Sequence, residues 1–212
     1  MVAIMTMARR RAARLSPEDR RAQLLACATR VVARRGIGRA THAEIAEEAG
    51  VAVSTTFVYF KTRTDLVQAV LEDVERFQHA LLDRHHRVDN PVPRALLDHA
   101  IAFAACVDTH PDHARVLLEW STSIREEIWP LYVRFHDGMV RRIAETLRRG
   151  QADGSVPAHL DADDTSLLIV GAGHVVAQMK FTRQPPEKVH RFLLTLLRGA
   201  IGADAVTAAL AG

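Results

Sequence analysis

Residues 41–60 read THAEIAEEAGVAVSTTFVYF. Ile45, Ala46 and Ala49 recur at helical spacing. Gly50-Val51 interrupts the run where a chain must turn sharply and still send an apolar group inward. A second helix starts near Ala52, with Val53, Thr56, Phe57 and Phe60 on its more apolar side. Ser54, Thr55, Val58 and Tyr59 fall about 100° to 240° away at roughly 100° per residue. Hydroxyls, one small apolar group and a phenol on a single face suit contacts to base edges and phosphates. The spacing predicts a helix-turn-helix whose second helix enters the major groove of duplex DNA while the first crosses the backbone. The same alanine-glycine turn also joins helices in proteins that never meet DNA.

Composition supports a helical body around this unit. The chain has 212 residues, 48% of them hydrophobic, which is enough for a real core. Sustained strand-like alternation is absent and apolar residues repeat at three and four, so an all-α fold is expected. Net charge is only +3, but it is unevenly placed. Residues 1–63 hold twelve Lys and Arg against five Asp and Glu, and acids outnumber bases in the remainder. A basic first third on a mildly acidic body suits a DNA-facing domain. Cys27 and Cys106 read as small buried apolar groups of a reducing compartment. No apolar run approaches a membrane span and no secretory signal precedes the basic cluster, so a cytoplasmic protein without membrane contact is expected.

In chain order, residues 1–15 read as a basic flexible arm whose Arg9, Arg11 and Arg14 could lie in a minor groove or simply be solvated. Ser16-Pro17-Glu18-Asp19 starts a helix running to about Arg35, closed by Gly36 and Gly38. Residues 16–62 form the expected three-helix DNA-binding domain. Residues 63–212 are expected to form a helical dimerisation domain, to which the family resemblance given below adds ligand binding. Its first helix, about 63–86, is capped by Thr62 or Thr64 and is long enough to act as a lever between the two. Lys61 and Arg63 stand where a phosphate could sit, and Thr41 and His42 complete the expected DNA-contact set. Further helices are expected at about 93–109, 112–123, 125–150, 161–182 and 186–201. Pro130 is tolerable only in the first turns of its helix or at a kink. The last two helices are apolar over more than one face, which points to a four-helix bundle across a two-fold axis. Leu168, Val175, Val176, Met179, Phe192, Leu193 and Leu196 are the candidate dimer residues, and a monomer with buried terminal helices is the alternative.

Chemistry is not signalled. Gly171-Ala172-Gly173 lies inside an apolar helix and is no phosphate loop. There is no nucleophile elbow, no zincin pair and no metal-ligand spacing, so neither cofactor nor metal is expected. The eleven histidines, His85-His86 and His110-x-x-His113 among them, read as solvated.

Two blocks carry a family resemblance. Arg34-Arg35-Gly36-Ile37-Gly38-Arg39 with His42-Ala43-Glu44-Ile45-Ala46, Tyr59-Phe60 and Thr62-Arg63-Thr64-Asp65-Leu66 resembles the DNA-binding domain of TetR-family one-component transcription regulators. Together with Leu118-Glu119-Trp120-Ser121-Thr122-Ser123 and Glu127-Ile128-Trp129-Pro130-Leu131, it is most similar to the HapR/SmcR quorum-sensing type within that family. The resemblance implies a homodimer on double-stranded DNA. It turns Thr56 and Phe60 inward and Phe57 outward, to join Ser54, Thr55, Val58 and Tyr59. It also implies a small-ligand pocket whose matching positions are Leu82, His99, Phe103, Leu117, Trp120, His136 and Val140. A polar residue, often Asn, is usual in that branch where this chain has Val58. Valine can only pack, for example on a thymine methyl, so the target sequence should differ.

The function expected is sequence-specific transcription regulation on a near-palindromic operator, with no enzymatic chemistry. A global regulator and a local repressor released by its own inducer both fit. An all-α enzyme or hydrophobic-ligand carrier, or a protein-interaction module, are the readings from other classes, and binding to duplex DNA separates them.

Overall fold

The computed structural model describes residues 15–124 and 127–211. Among these the chain is all helix, ten in number: α1 Pro17–Arg35, α2 His42–Ala49, α3 Val53–Tyr59, α4 Arg63–His85, α5 Val92–Thr109, α6 Pro111–Thr122, α7 Trp129–Asp153, α8 Ala162–Phe181, α9 Pro186–Ile201 and α10 Ala203–Ala211. The expected contacts from Arg9, Arg11 and Arg14, and the expected flexible arm, lie outside the described residues.

Side chains and glycines set the helix boundaries. The Ser16 hydroxyl accepts the Asp19 amide and Pro17 fills the first turn of α1. Thr41 with Glu44, and Thr62 with Asp65, form reciprocal capping boxes that start α2 and α4. Gly50 ends α2 in the left-handed region, at φ 65°, where a side chain would be strained. Helix α7 begins at Trp129, not Arg125, so Pro130 stands in its first turn and no kink is needed. Helix α10 was not expected. Gly202 breaks the chain at φ 92°, and Val206 and Ala209 then pack the new helix against α5 and α9.

Helices α1–α3 form the N-terminal helix-turn-helix domain, and α4 runs from it into the C-terminal helical domain. One apolar cluster crosses between them. It joins Leu24, Val31, Ile45 and Phe60 to Leu66 and Val70 of α4, Val116 and Trp120 of α6, and Ile143 and Leu147 of α7. Each such side chain contributes about 1.5–3 kcal/mol on burial, so the two domains are not energetically separate. Around the central α5 pack α4, α8, α9 and α10, and α8 lies along α7. Cys27 and Cys106 are both buried, and burial pushes the Cys106 thiol up to about 11. No helix among the described residues is long and apolar enough to cross a membrane.

Candidate nucleic-acid interface

Helix α3 is held from beneath and presents its other side to solvent. Thr56 and Phe60 are fully packed, and the Thr56 hydroxyl donates to the Val53 carbonyl at 2.7 Å. Val53, Ser54, Phe57 and Val58 face outward, with Val58 74% exposed; Thr55 and Tyr59 are half-buried. Periodicity alone put Val53 and Phe57 on the inner side, and both are exposed. The orientation implied by the family resemblance is the one found for Thr56, Phe57 and Phe60.

His42 does not reach the solvent face. It is buried, its Nε2–H donates to the Phe60 carbonyl at 2.8 Å, and its ring stacks on Phe57 at 4.1 Å and 7°. The first residue of α2 thereby satisfies the carbonyl that ends α3 and props the Phe57 ring outward. Its role is to position α3, which corrects the expectation of a direct contact.

Arg63 also differs from expectation. Its guanidinium turns into the α1–α2 loop and donates to the Ile37 and Ala40 carbonyls. The Thr41 hydroxyl is engaged in its capping box, whereas Lys61 stands exposed at the surface. Part of the basic excess is spent internally as well. Arg35 pairs with Glu44 at 2.7 Å, and Arg30 and Arg34 both pair with Glu48. The Thr41 hydroxyl, and after it Arg35, hold the Glu44 carboxyl below the usual range, and Arg30 and Arg34 do the same for Glu48.

The α1–α2 loop is also gripped from the other domain. Oε1 of Glu119, on α6, accepts the Ile37 amide at 2.8 Å. Gly36 lies against the same carboxylate, since a Cβ there would come within 2.9 Å of it. Nothing in the sequence links positions 82 residues apart, and this contact was not anticipated.

Inside the body, α4–α9 enclose a cavity of about 90 Å³. His99, Phe103, Leu117 and His136 line it as the resemblance implied, and α8 and α9 also contribute walls. Leu82 and Trp120 do not line it. Each is packed in the core, and Val140 stands outside the lining. Gln78, Tyr132 and His174 line it and were missed. The available signal for Gln78 was an amide on the otherwise apolar α4 stripe Leu71, Val74, Leu82.

The solvated reading of the histidines fails at His42, His86 and His99. Nδ1 of His99 lies 2.9 Å from Nε2 of His86, and Nδ1 of His86 lies 3.0 Å from the Thr146 hydroxyl. That hydroxyl donates to the Arg142 carbonyl, so it accepts from His86 Nδ1–H. His86 Nε2 then accepts from His99 Nδ1–H, and the remaining lone pair is on Nε2 of His99. Burial and the neighbouring charges of Arg149 and His85 lower His86 from 6.5 to about 4, and burial beside His86 lowers His99 to about 3.

Both folded values lie below the unfolded one, so stability is fully present above pH 6.5 and is lost as pH falls toward 4 and then 3. Each ring steepens that loss by up to about 1.4 kcal/mol per pH unit. Ring-nitrogen NMR at about pH 5 should find both rings neutral with hydrogen on Nδ1. Ordinary titration of either ring would break the chain assigned here.

Corrections also fall on the candidate dimer residues. Val176 and Leu193 are buried in a cluster with Ala104 and Val189 inside the subunit, and Leu196 lines the cavity. Met179 and Phe192 are half-buried against that cluster, whereas Leu168 and Val175 stand exposed on α8 at 55% and 42%.

The sequence profile of bacterial regulatory proteins of the tetR family matches residues 24–70, which span the helix-turn-helix. The transcriptional regulator LuxR of Vibrio harveyi is 39% identical over 160 residues, covering 73% of this chain and 78% of LuxR. Among solved structures, a TetR-like regulator from Rhodococcus sp. RHA1 superposes with a TM-score of 0.74 at 19% identity, over 88% of this chain and 98% of that one. FadR of Bacillus subtilis, solved with stearoyl-CoA, gives 0.69 at 19%, over 86% and 98%. With an outward-facing α3 locked by His42 and a relative this similar over most of its length, the chain belongs to the TetR family of DNA-binding transcription regulators and is not an enzyme.

Proposed function

We propose that two copies of this chain bind a near-palindromic duplex, each placing α3 in the major groove. Half-sites would lie about 34–36 Å apart or a multiple of that. The observation that carries the reading is the outer face of α3: Ser54, Phe57 and Val58 are exposed on a helix whose opposite side is fully packed. Side by side on one short helix, the exposed phenylalanine and valine form an apolar surface that the fold itself leaves uncovered. A duplex supplies base edges and thymine methyls for them. The 39% identity to LuxR supports placement near the HapR/SmcR quorum-sensing type, as a regulator of many promoters. The internal cavity favours a second version, a local repressor released by its own small inducer.

Selecting bound duplexes from a random pool tests the reading. A symmetric consensus, and an affinity that falls steeply with salt, are expected. A folded protein that enriches no sequence would overturn it. Genome-wide occupancy then separates many sites from one.

For the dimer, the exposed α8 strip of Leu167, Leu168 and Val175 is the supporting feature. Leu168→Glu places a carboxylate on that strip and should shift the protein to monomer in light scattering, with operator affinity down more than tenfold. An unchanged mass would remove α8 from the interface.

A further inference from the structure

The cavity between α4 and α9 holds two polar groups without protein partners. Gln78 is 2% exposed and lines the cavity, and its carboxamide has no hydrogen-bond partner among the described residues. No fully sealed side-chain N or O lacks a partner among these residues, so the Gln78 amide is open to the space it lines. The same logic applies to His99. Its Nδ1 is spent on His86, and no partner is found for Nε2, the nitrogen left with a lone pair. A buried amide left unpaired is costly, and such groups call for a partner that the fold does not supply.

Most of the rest of the wall is apolar, with Phe103, Leu117, Ile169 and Leu197 typical of it, and its other polar members are His136 and the paired Tyr132 and His174. No Lys, Arg, Asp or Glu lines the cavity, so a ligand ion would be buried without a counter-charge. The volume, about 90 Å³, is below the ~150 Å³ of a cavity that takes benzene, so a guest must be compact and the walls must give slightly.

We propose that this cavity binds a compact, neutral, mostly apolar molecule bearing one hydroxyl, of the phenol or short-alcohol class. The hydroxyl donates to Nε2 of His99 and accepts from the Gln78 amide. This rests on the reading of the helical body as a small-ligand sensor and specifies what that sensor accepts. An N–H of the Gln78 amide and the Nε2 lone pair of His99 match the acceptor and donor sides of one hydroxyl. An ether can only accept, a hydrocarbon can do neither, and a carboxylate brings a charge that no Lys or Arg in the wall balances.

Phenol, anisole, toluene and benzoate, titrated by calorimetry into the full-length protein, test this. Phenol should bind about tenfold tighter than anisole or toluene, and benzoate should not bind. Gln78→Leu should erase the phenol advantage, leave toluene unchanged or tighter, and leave the melting temperature of the free protein equal or higher. The last result follows because an unpartnered amide is being removed. Gln78→Met serves as a second variant should leucine not fold. Equal binding of phenol and toluene, preferred binding of benzoate, or a marked stability loss in both Gln78 variants would overturn the proposal while leaving a ligand sensor intact. If none of the four binds at millimolar concentration, the small-ligand reading fails too. Operator binding is measured separately and is independent of all these results.

Discussion

Val58→Asp should lower affinity for the selected duplex about a hundredfold and leave the melting temperature where it is. Val58 is 74% exposed in the last turn of α3 and belongs to no core cluster, so folding loses almost nothing. Asp and Val have similar helix propensities, and a carboxylate near a helix C-terminus costs only a few tenths of a kcal/mol. Binding is different. A carboxylate carried into the groove meets phosphate charge on both flanks and is desolvated without a cation. Like-charge contacts of that kind cost several kcal/mol, and about 2.7 kcal/mol is a hundredfold. Val58→Ala removes only a packing contact and should change affinity a few-fold. Fluorescence anisotropy on the selected duplex, with circular dichroism melts alongside, reads both effects. If Val58→Asp bound like the parent protein, α3 would not be the element in the groove. Val58→Asn is informative in a second way. Asn can pair with adenine, so the preferred base should change at one position of each half-site while overall affinity is kept.

The helices were legible because their ends are chemically marked. Ser16-Pro17, Thr41 with Glu44, Gly50 and Thr62 each satisfy or release specific backbone groups, and they do so wherever the sequence puts them. What the sequence could not resolve was which of two apolar faces is which. Seven-residue α3 shows Val53 and Phe57 to solvent, so hydrophobicity there is turned outward and does not mark the core. Helix α8 is apolar nearly all round, and only packing against Ala104, Val189 and Leu193 tells Val176 from Val175. Short-range patterns were equally silent on contacts made across the fold. His42 meets the Phe60 carbonyl, His86 meets His99 and Thr146, and Glu119 meets Ile37. In each case a polar group was read as a surface or ligand contact, or went unnoticed, because its partner lies many residues away.

Trp120→Ala should cost about 3–5 kcal/mol, the range for emptying a large aromatic from a packed core. Its indole is 1% exposed, stacks on Phe135 at 5.4 Å and 16°, and meets Tyr132 edge-on at 5.7 Å. The ring N–H donates to the Ile128 carbonyl at 3.1 Å, which ties α6 to the start of α7. Alanine removes the stack and one of the two donors to that carbonyl, which keeps the Tyr132 amide at 3.2 Å, so the cavity dominates the loss and the missing hydrogen bond adds to it. Against a total stability of about 5–15 kcal/mol, the variant should unfold at a much lower urea midpoint by far-UV circular dichroism. The consequence reaches the DNA-binding end. Glu119 precedes Trp120 on the same helix and holds the Ile37 amide, so a loosened α6 also slackens the loop that leads into α2. Operator affinity should therefore fall at temperatures where most of the helix content survives. Glu119→Ala should reproduce that fall, with a smaller stability loss of about 1–3 kcal/mol from the unpaired amide. A Trp120→Ala protein within about 1 kcal/mol of the parent would mean that the indole is not buried in the folded chain. If stability fell as expected but Glu119→Ala bound DNA normally, α6 would brace the body alone and the contact with Ile37 would carry nothing between the domains.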